Sequence, residues 1–275
     1  MEFSILPASN YPLPDLVQYL NQGFEDYFIP IQFNHVTFLN MLRKDGIDLT
    51  ASRILLVDHH PCGIALIARR GWTSRLAAMG ISSERRGKGA GSWFMAKLTA
   101  EACERGDREM LLEVIEQNEP AVKLYRRCGF ESVRRLLGFV RKDSKESDPG
   151  DLQEIDLREM GRLVSQYGLP DLPWQLSGES IAQMNPQARA FRNGQAYVAV
   201  SNPEAEHVVI WSLLVEPQAR GRGLGTRLLK SMLALGATNP TWHAPAVFPE
   251  EFQKVFRRAG FEQEKLSQWQ MSLPL

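Results

Sequence analysis

The chain is poor in several things, and each shortage excludes something. It has three cysteines in 275 residues, Cys62, Cys103 and Cys128. They are far apart and odd in number, which argues against a disulfide framework and points to a reducing cytoplasm. No run approaches the ~20 apolar residues of a membrane-crossing helix. The opening stretch MEFSILPASNYPLPD has neither a basic segment nor an apolar core, so it does not read as a secretory leader. An excess of one charge is missing too. The 32 basic and 32 acidic residues cancel, which argues against nucleic acid or an anionic membrane as partner. Histidine is scarce, and its densest stretch, Asp58-His59-His60-Pro61-Cys62-Gly63, reads as a polar turn. A zinc site needs three or four ligands converging in space, and no metal is expected. A serine-nucleophile elbow of the G-x-S-x-G type is lacking as well.

What is present fits a globular protein of one or two domains, with 44% hydrophobic and 23% charged residues. Two glycine runs stand out: RRGKGAGS at 85–92 and ARGRGLGT at 219–226. Between them lies RKDSKESDPGD, Arg141 to Asp151. It is charged, contains Pro149-Gly150 and has no apolar periodicity, so it reads as a linker. The expected domains are 1–143 and 151–275.

The two halves share an order of elements. In the first, a strand near Phe3–Leu6 leads to helices at about Asp15–Tyr27 and Val36–Arg43. RILLVD and CGIALIAR form a hairpin. The strand RLAAMGIS then runs into the glycine run. GSWFMAKLTAEACERG is helical, with Phe94, Leu98 and Ala102 on one face. MLLEVI is a strand, PAVKLYRRCGF a short helix with Pro120 near its start and Gly129 past its end, and ESVRRLLGFVRK a closing strand. The second half repeats the later part: QAYVAVSN, HVVIWSLLVE, the helix GLGTRLLKSMLALG, TWHAPAVF, the helix EEFQKVFRRAGF and KLSQWQMSL. Strands alternating with helices imply an α/β layered unit used twice.

Both glycine runs sit where a strand hands over to a helix. A helix start leaves backbone N–H groups unpaired and carries about half a positive charge. That makes a site for phosphate or diphosphate. Glycine lets an anion approach the backbone without a Cβ in the way. Arg85, Arg86 and Lys88 add charge. Neither run supplies a Walker loop or the dinucleotide spacing G-x-G-x-x-G.

Arg86-Gly87-Lys88-Gly89-Ala90-Gly91 and Arg220-Gly221-Arg222-Gly223-Leu224-Gly225 resemble the acetyl-CoA motif of the GNAT superfamily of N-acetyltransferases. Asn118 to Phe130, NEPAVKLYRRCGF, resembles that family's second segment, N-x-x-A-x-x-L-Y-x-x-x-G-F. The resemblance implies two tandem GNAT-like domains, each a mixed, partly splayed β-sheet flanked by helices, packed as a pseudo-dimer within one chain. It implies acetyl-CoA as co-substrate and a small-molecule or peptide amine as acceptor. The pantetheine arm would pair with Met79, Gly80 and Ile81, and Gly80 would polarise the thioester carbonyl. The diphosphate would lie on residues 86–92, through Ser92. Asn118 would hold the CoA arm while capping its helix.

By the same resemblance Tyr125 is the general acid for the departing thiolate and Glu113 the candidate base. Glu113 also reads as a carboxylate facing solvent or paired with an arginine. In the second half Val215, Arg220–Gly225 and Thr226 keep the binding pattern. Phe256 stands in place of Tyr125 and Pro249 in place of Asn118, and no acid matches Glu113. Catalysis is therefore expected in the first half. The second is structural, binds CoA without turnover or shapes the acceptor pocket. A non-catalytic acyl-CoA-binding or sensing protein is the competing reading. Phe24, Tyr27, Phe28 and Phe33 either line an acceptor pocket or bury against the sheet, and Glu25 or Asp26 either attract an amine or are solvated.

Overall fold

Two left-handed residues in succession, Asp58 at φ 49° and His59 at φ 67°, make the tightest turn of the N-terminal half. Consecutive positive φ values define the hairpin turn whose twist matches its flanking strands. The Asp58 carboxylate accepts the Glu2 N–H at 2.9 Å, and this bond holds its pKa below the ordinary value. The stretch Asp58–Gly63, read from the sequence as a polar turn, includes the turn of this hairpin. Among the described residues no three His, Cys, Asp or Glu side chains gather into a metal-binding group.

The computed structural model describes residues 2–25, 27–29, 32–142, 150–235 and 240–275. Asp26 and most of the expected linker lie outside them. The chain forms two units, Met1–Val133 with Gln270–Leu275, and Arg134–Trp269. The strand Glu131–Arg141, read from the sequence as closing the first half, thus falls in the second unit from Arg134 onward. The last six residues fall in the first, where the Leu275 N–H donates to the Arg108 carbonyl.

The first unit runs β1 (Phe3–Pro7), α1 (Leu13–Gly23), α2 (His35–Asp45), β2 (Arg53–Val57), β3 (His60–Arg70), β4 (Thr73–Ile81), α3 (Ala90–Glu104), β5 (Glu109–Ile115) and α4 (Glu119–Arg127). β1 to β4 pair antiparallel in sequence order, and β4 pairs parallel with β5. Pro14 starts α1, where its missing N–H is no loss. A reciprocal capping box between Asn34 and Thr37 starts α2. α1 is shorter than the pattern to Tyr27 suggested, because it stops at Gly23. α1 and α2 bury Leu16, Leu20 and Phe38 against Ile54, Ile64 and Leu66. Each such side chain stabilises by roughly 1.5–3 kcal/mol when fully buried. α3 buries Phe94, Met95, Leu98 and Ala102.

The second unit holds β6 (Glu131–Arg141), β7 (Gln153–Ile155), α5 (Leu157–Tyr167), α6 (Gly178–Ala182), β8 (Arg189–Asn193), β9 (Ala196–Val200), β10 (His207–Val215), α7 (Leu224–Leu233), β11 (Thr241–Pro249), α8 (Gln253–Arg258) and most of β12 (Glu262–Pro274). β7 to β10 pair antiparallel in order, β10 pairs parallel with β11, and β11 pairs antiparallel with β6. Its core gathers Val198, Ile210, Leu228, Trp242, Phe248 and Phe256. Among the described residues no helix is long and apolar enough to cross a membrane.

Candidate active site

β4 and β5 part company. Their ladder covers only Thr73–Leu76 against Glu109–Leu112, although β4 runs on to Ile81 and β5 to Ile115. The register of β4 on β3 slips beside Ala77. A bulge of this kind increases local twist and re-aims the strand. The second unit repeats both features. β10 and β11 pair over three residues, His207–Val209 with Thr241–His243, and β10 slips beside Trp211. Each unit therefore opens a gap between two parallel strands.

The glycine loops fill the ends of these gaps. Gly87 and Gly89 have φ of 74° and 84°, and a Cβ built on either meets nothing within 4 Å. These two glycines serve backbone conformation, since L side chains rarely adopt positive φ. The open space around them lies at the start of α3, where a helix leaves its first N–H groups unpaired. Such a cradle suits the diphosphate of a CoA molecule. Gly91 works differently: a Cβ there would come within 3.2 Å of Leu124, so it lets α3 approach α4. Ala90 is buried and Ser92 exposed in the first turn.

The arginine before each run is a brace. Arg86 donates from Nε to the Ile81 carbonyl at 2.8 Å and from Nη2 to the Gly23 carbonyl at 3.0 Å. Arg220 donates to the Val215 carbonyl at 3.0 Å and to the Tyr167 carbonyl. In both units the guanidinium thus ties the end of a sheet strand to the end of the unit's first helix. Lys88 folds back onto the Glu84 carbonyl at 2.9 Å. The strand end braced by Arg86 includes Met79, Gly80 and Ile81. A Cβ on Gly23 would lie 2.6 Å from the Gly80 Cα, and one on Gly80 would lie 2.7 Å from the Gly23 Cα. Backbone meets backbone at the strand where a thioester carbonyl would be polarised.

Tyr125 lies on α4 and is 8% exposed. Its ring meets Phe130 edge-on at 5.9 Å. Burial raises its pKa above the ordinary phenol value, with the nearby Tyr27 and Cys128 adding to the effect. Asn118 caps α4, its side chain accepting the Ala121 N–H at 3.4 Å. It also hydrogen-bonds the Tyr27 hydroxyl, and burial raises the Tyr27 pKa. Tyr27 thus joins Tyr125 and Asn118 in one cluster. Of the other aromatics, Phe24 and Phe33 pack on the α1–α2 core, while Phe28 is 48% exposed.

Glu113 is held by Arg75 at 2.7 Å, with side chains 3% and 5% exposed. Asp45 lies 3.7 Å from the same guanidinium. Of the readings open for this carboxylate, the structure shows pairing with an arginine. The pair links β4 to β5 where their ladder ends: Arg75 lies within it, opposite Leu111, and Glu113 one residue past the last pair, Leu76 with Leu112. The Arg75 partner was legible as a lone cation in the apolar strand TSRLAAMGI. The Tyr27–Asn118 contact had no sequence signal beyond its aromatic type.

In the second unit Gly221 and Gly223 again have positive φ, 80° and 77°, Arg222 is exposed and Leu224 and Thr226 are half-buried. Gly225 differs from Gly91: a Cβ there would meet Val215 of β10 and Val255 of α8 at 3.4 Å, an ordinary contact distance. Phe256, in place of the tyrosine, is fully buried and stacks on Phe139 at 4.6 Å. Pro249 ends β11. A cavity of about 340 Å³ opens against this loop.

The model of the acetyltransferase (GNAT) family matches residues 15–130 and 187–244. No curated protein matches the chain. Among solved structures, a GCN5-related N-acetyltransferase from Sphaerobacter thermophilus superposes with a TM-score of 0.69 at 15% identity, covering 99% of this chain and 95% of that one. A tandem GNAT protein from the clavulanic acid biosynthesis pathway gives 0.61 at 15% identity, covering 99% and 98%. A GCN5-related N-acetyltransferase from Anabaena variabilis gives 0.62 at 17%, covering 98% and 72%. At these identities the likeness is one of fold.

Proposed function

The chain belongs to the GNAT acetyltransferase family, a fold for acyl transfer, and on that premise we propose that its N-terminal unit moves an acetyl group from acetyl-CoA to a primary amine. The observation that carries this is Tyr125: a buried phenol, kept protonated by its surroundings, on the helix that follows the diverging strand. The N–H groups of Gly87–Ser92 hold the diphosphate, with Arg86 keeping the loop in shape. The free edge of β4 at Met79–Ile81 takes the pantetheine arm, Asn118 steadies it, and the Gly80 N–H polarises the carbonyl. The amine nitrogen attacks that carbonyl carbon, the C–N bond forms and the C–S bond breaks. Tyr125 gives its proton to the sulfur, and the proton shed by the nitrogen passes through water to restore the phenol.

An amine of ordinary pKa is neutral in only about one molecule per thousand at pH 7, so a proton acceptor accelerates attack. Glu113 stands where the family pattern places its base, but its charge is engaged by Arg75. We assign the pair the task of fixing where β4 and β5 diverge. Proton removal by Glu113 itself requires that pair to open.

The C-terminal unit, with Val215 and Arg220–Thr226, is proposed to bind CoA without turnover, since Phe256 has no proton to give. A sensing protein without transfer is the second reading, favoured by the cavity beside that loop. Release of free thiol from acetyl-CoA across a panel of amines decides between them. Amine-dependent release supports transfer. Thermal stabilisation by CoA with no release from any amine supports sensing.

A further inference from the structure

We propose that the cavity of the C-terminal unit takes an acyl thioester whose acyl group is an extended aliphatic chain, and holds it without transferring it. The proposal rests on reading Arg220–Thr226 as a coenzyme A site and adds the class of acyl group. The cavity measures about 340 Å³, within the ~300–1,000 Å³ range of small-molecule sites. Part of its wall is the glycine loop with the cations Lys254 and Arg258, suited to phosphate. The rest is apolar: Val164, Leu169, Leu172, Leu176, Phe248 and Phe252. Among the described residues Glu251 is the sole carboxylate on the wall, and it faces Arg134 at 3.8 Å. A cationic amine finds little to attract it there. An alkyl chain finds a surface on which each buried methylene is favourable.

The two units differ where the acyl group would lie. In the N-terminal unit the carbonyl braced by Arg86 belongs to Gly23, whose backbone touches Gly80. That contact suits a small acyl group. In the C-terminal unit the carbonyl braced by Arg220 belongs to Tyr167, and Leu214 stands one residue before the strand end, as Gly80 does. Leu214 and Tyr167 pack in one cluster with Val164. Two side chains pack between the end of α5 and β10 where two glycines bring the backbones of α1 and β4 together. The cavity is walled there by Val164, Gly168, Leu214 and Val215, and Phe256, standing in place of the phenol, cannot protonate a leaving thiolate.

Calorimetry on the full chain with CoA, acetyl-CoA, hexanoyl-CoA and octanoyl-CoA tests this. Two molecules should bind per chain. Affinity at one site should rise about fourfold per added methylene, ~0.8 kcal/mol, until the cavity fills, and at least fiftyfold from acetyl to octanoyl. Leu172→Trp, which narrows the apolar wall, should flatten that rise while CoA itself still binds twice. The wild-type series decides even where this variant does not fold. Two sites with a flat series would overturn the aliphatic class and leave the CoA reading standing. A single site at every chain length would overturn the CoA reading of this unit. Thiol release from octanoyl-CoA by the Tyr125→Phe protein, in the presence of amines, would overturn holding without transfer.

Discussion

Arg86 spans 63 positions of sequence to donate its Nη2 proton to the carbonyl of Gly23 at 3.0 Å. The same side chain holds the Ile81 carbonyl. Its place in an R-G-x-G-x-G motif suggests a phosphate ligand, yet its bonds set loop shape. Arg86→Ala should therefore act through the loop. A few tenths to about 3 kcal/mol of stability should be lost, for two bonds to a charged donor in a partly exposed setting. The KM for acetyl-CoA should rise several-fold more than kcat falls. Chemical denaturation and steady-state kinetics check this, and an unchanged KM would remove the brace from the account.

Gly23→Ala should be far worse than an ordinary helix substitution. The new Cβ would lie 2.6 Å from the Gly80 Cα, and backbone cannot rotate aside as a side-chain tip can. Overpacking of this kind costs about 1–3 kcal/mol. Activity should fall with stability because β4 is pushed where acetyl transfer is proposed to occur. Thermal melts and a kcat measurement on the same sample test it; wild-type values for both would contradict the contact.

Glu113→Gln leaves the buried Arg75 with only the more distant Asp45, at 3.7 Å, to offset its charge. Breaking one side of a buried pair costs roughly 3–5 kcal/mol. The triple variant Asp45→Asn, Arg75→Met, Glu113→Leu, which removes the whole buried group of charges, should recover most of that stability, because buried ion pairs replaced by uncharged groups are often neutral or better. If Glu113 is instead the free base, Glu113→Gln should keep its stability and lose the acidic limb of the kcat/KM profile.

As the proposed general acid, Tyr125 is expected to set the alkaline edge. Its pKa is raised above the ordinary 10.0 by burial, so the protonated phenol is favoured in the fold. The stability linked to this group is fully present below pH 10 and is lost as pH rises through the higher folded-state value. Turnover should accordingly climb as the amine loses its proton and show no fall from Tyr125 ionisation until above pH 10. A falling limb near pH 8 that disappears in Tyr125→Phe would contradict this.

Much of this was legible in residues. The order of elements along the chain and the glycine loops at helix starts follow from local pattern, because periodicity and turn chemistry act over short range; the divergence of the strands before NEPAVKLYRRCGF was implied by the family resemblance alone. What the pattern hid were contacts across long separations. Gly23 against Gly80, Arg75 with Glu113, and Tyr27 with Asn118 each need the fold to meet. The boundary of the first unit was also hidden, since a strand's periodicity does not state which unit it serves. Gly87 and Gly89 were read as making room for an anion; their positive φ shows that backbone conformation demands them first.

The most direct test compares single turnover of bound acetyl-CoA with excess amine in the wild-type protein and in Tyr125→Phe. The account predicts thiol release slowed about 10²–10⁴-fold, the usual worth of general acid–base catalysis, with acetyl-CoA affinity unchanged. Equal rates in the two proteins would contradict it.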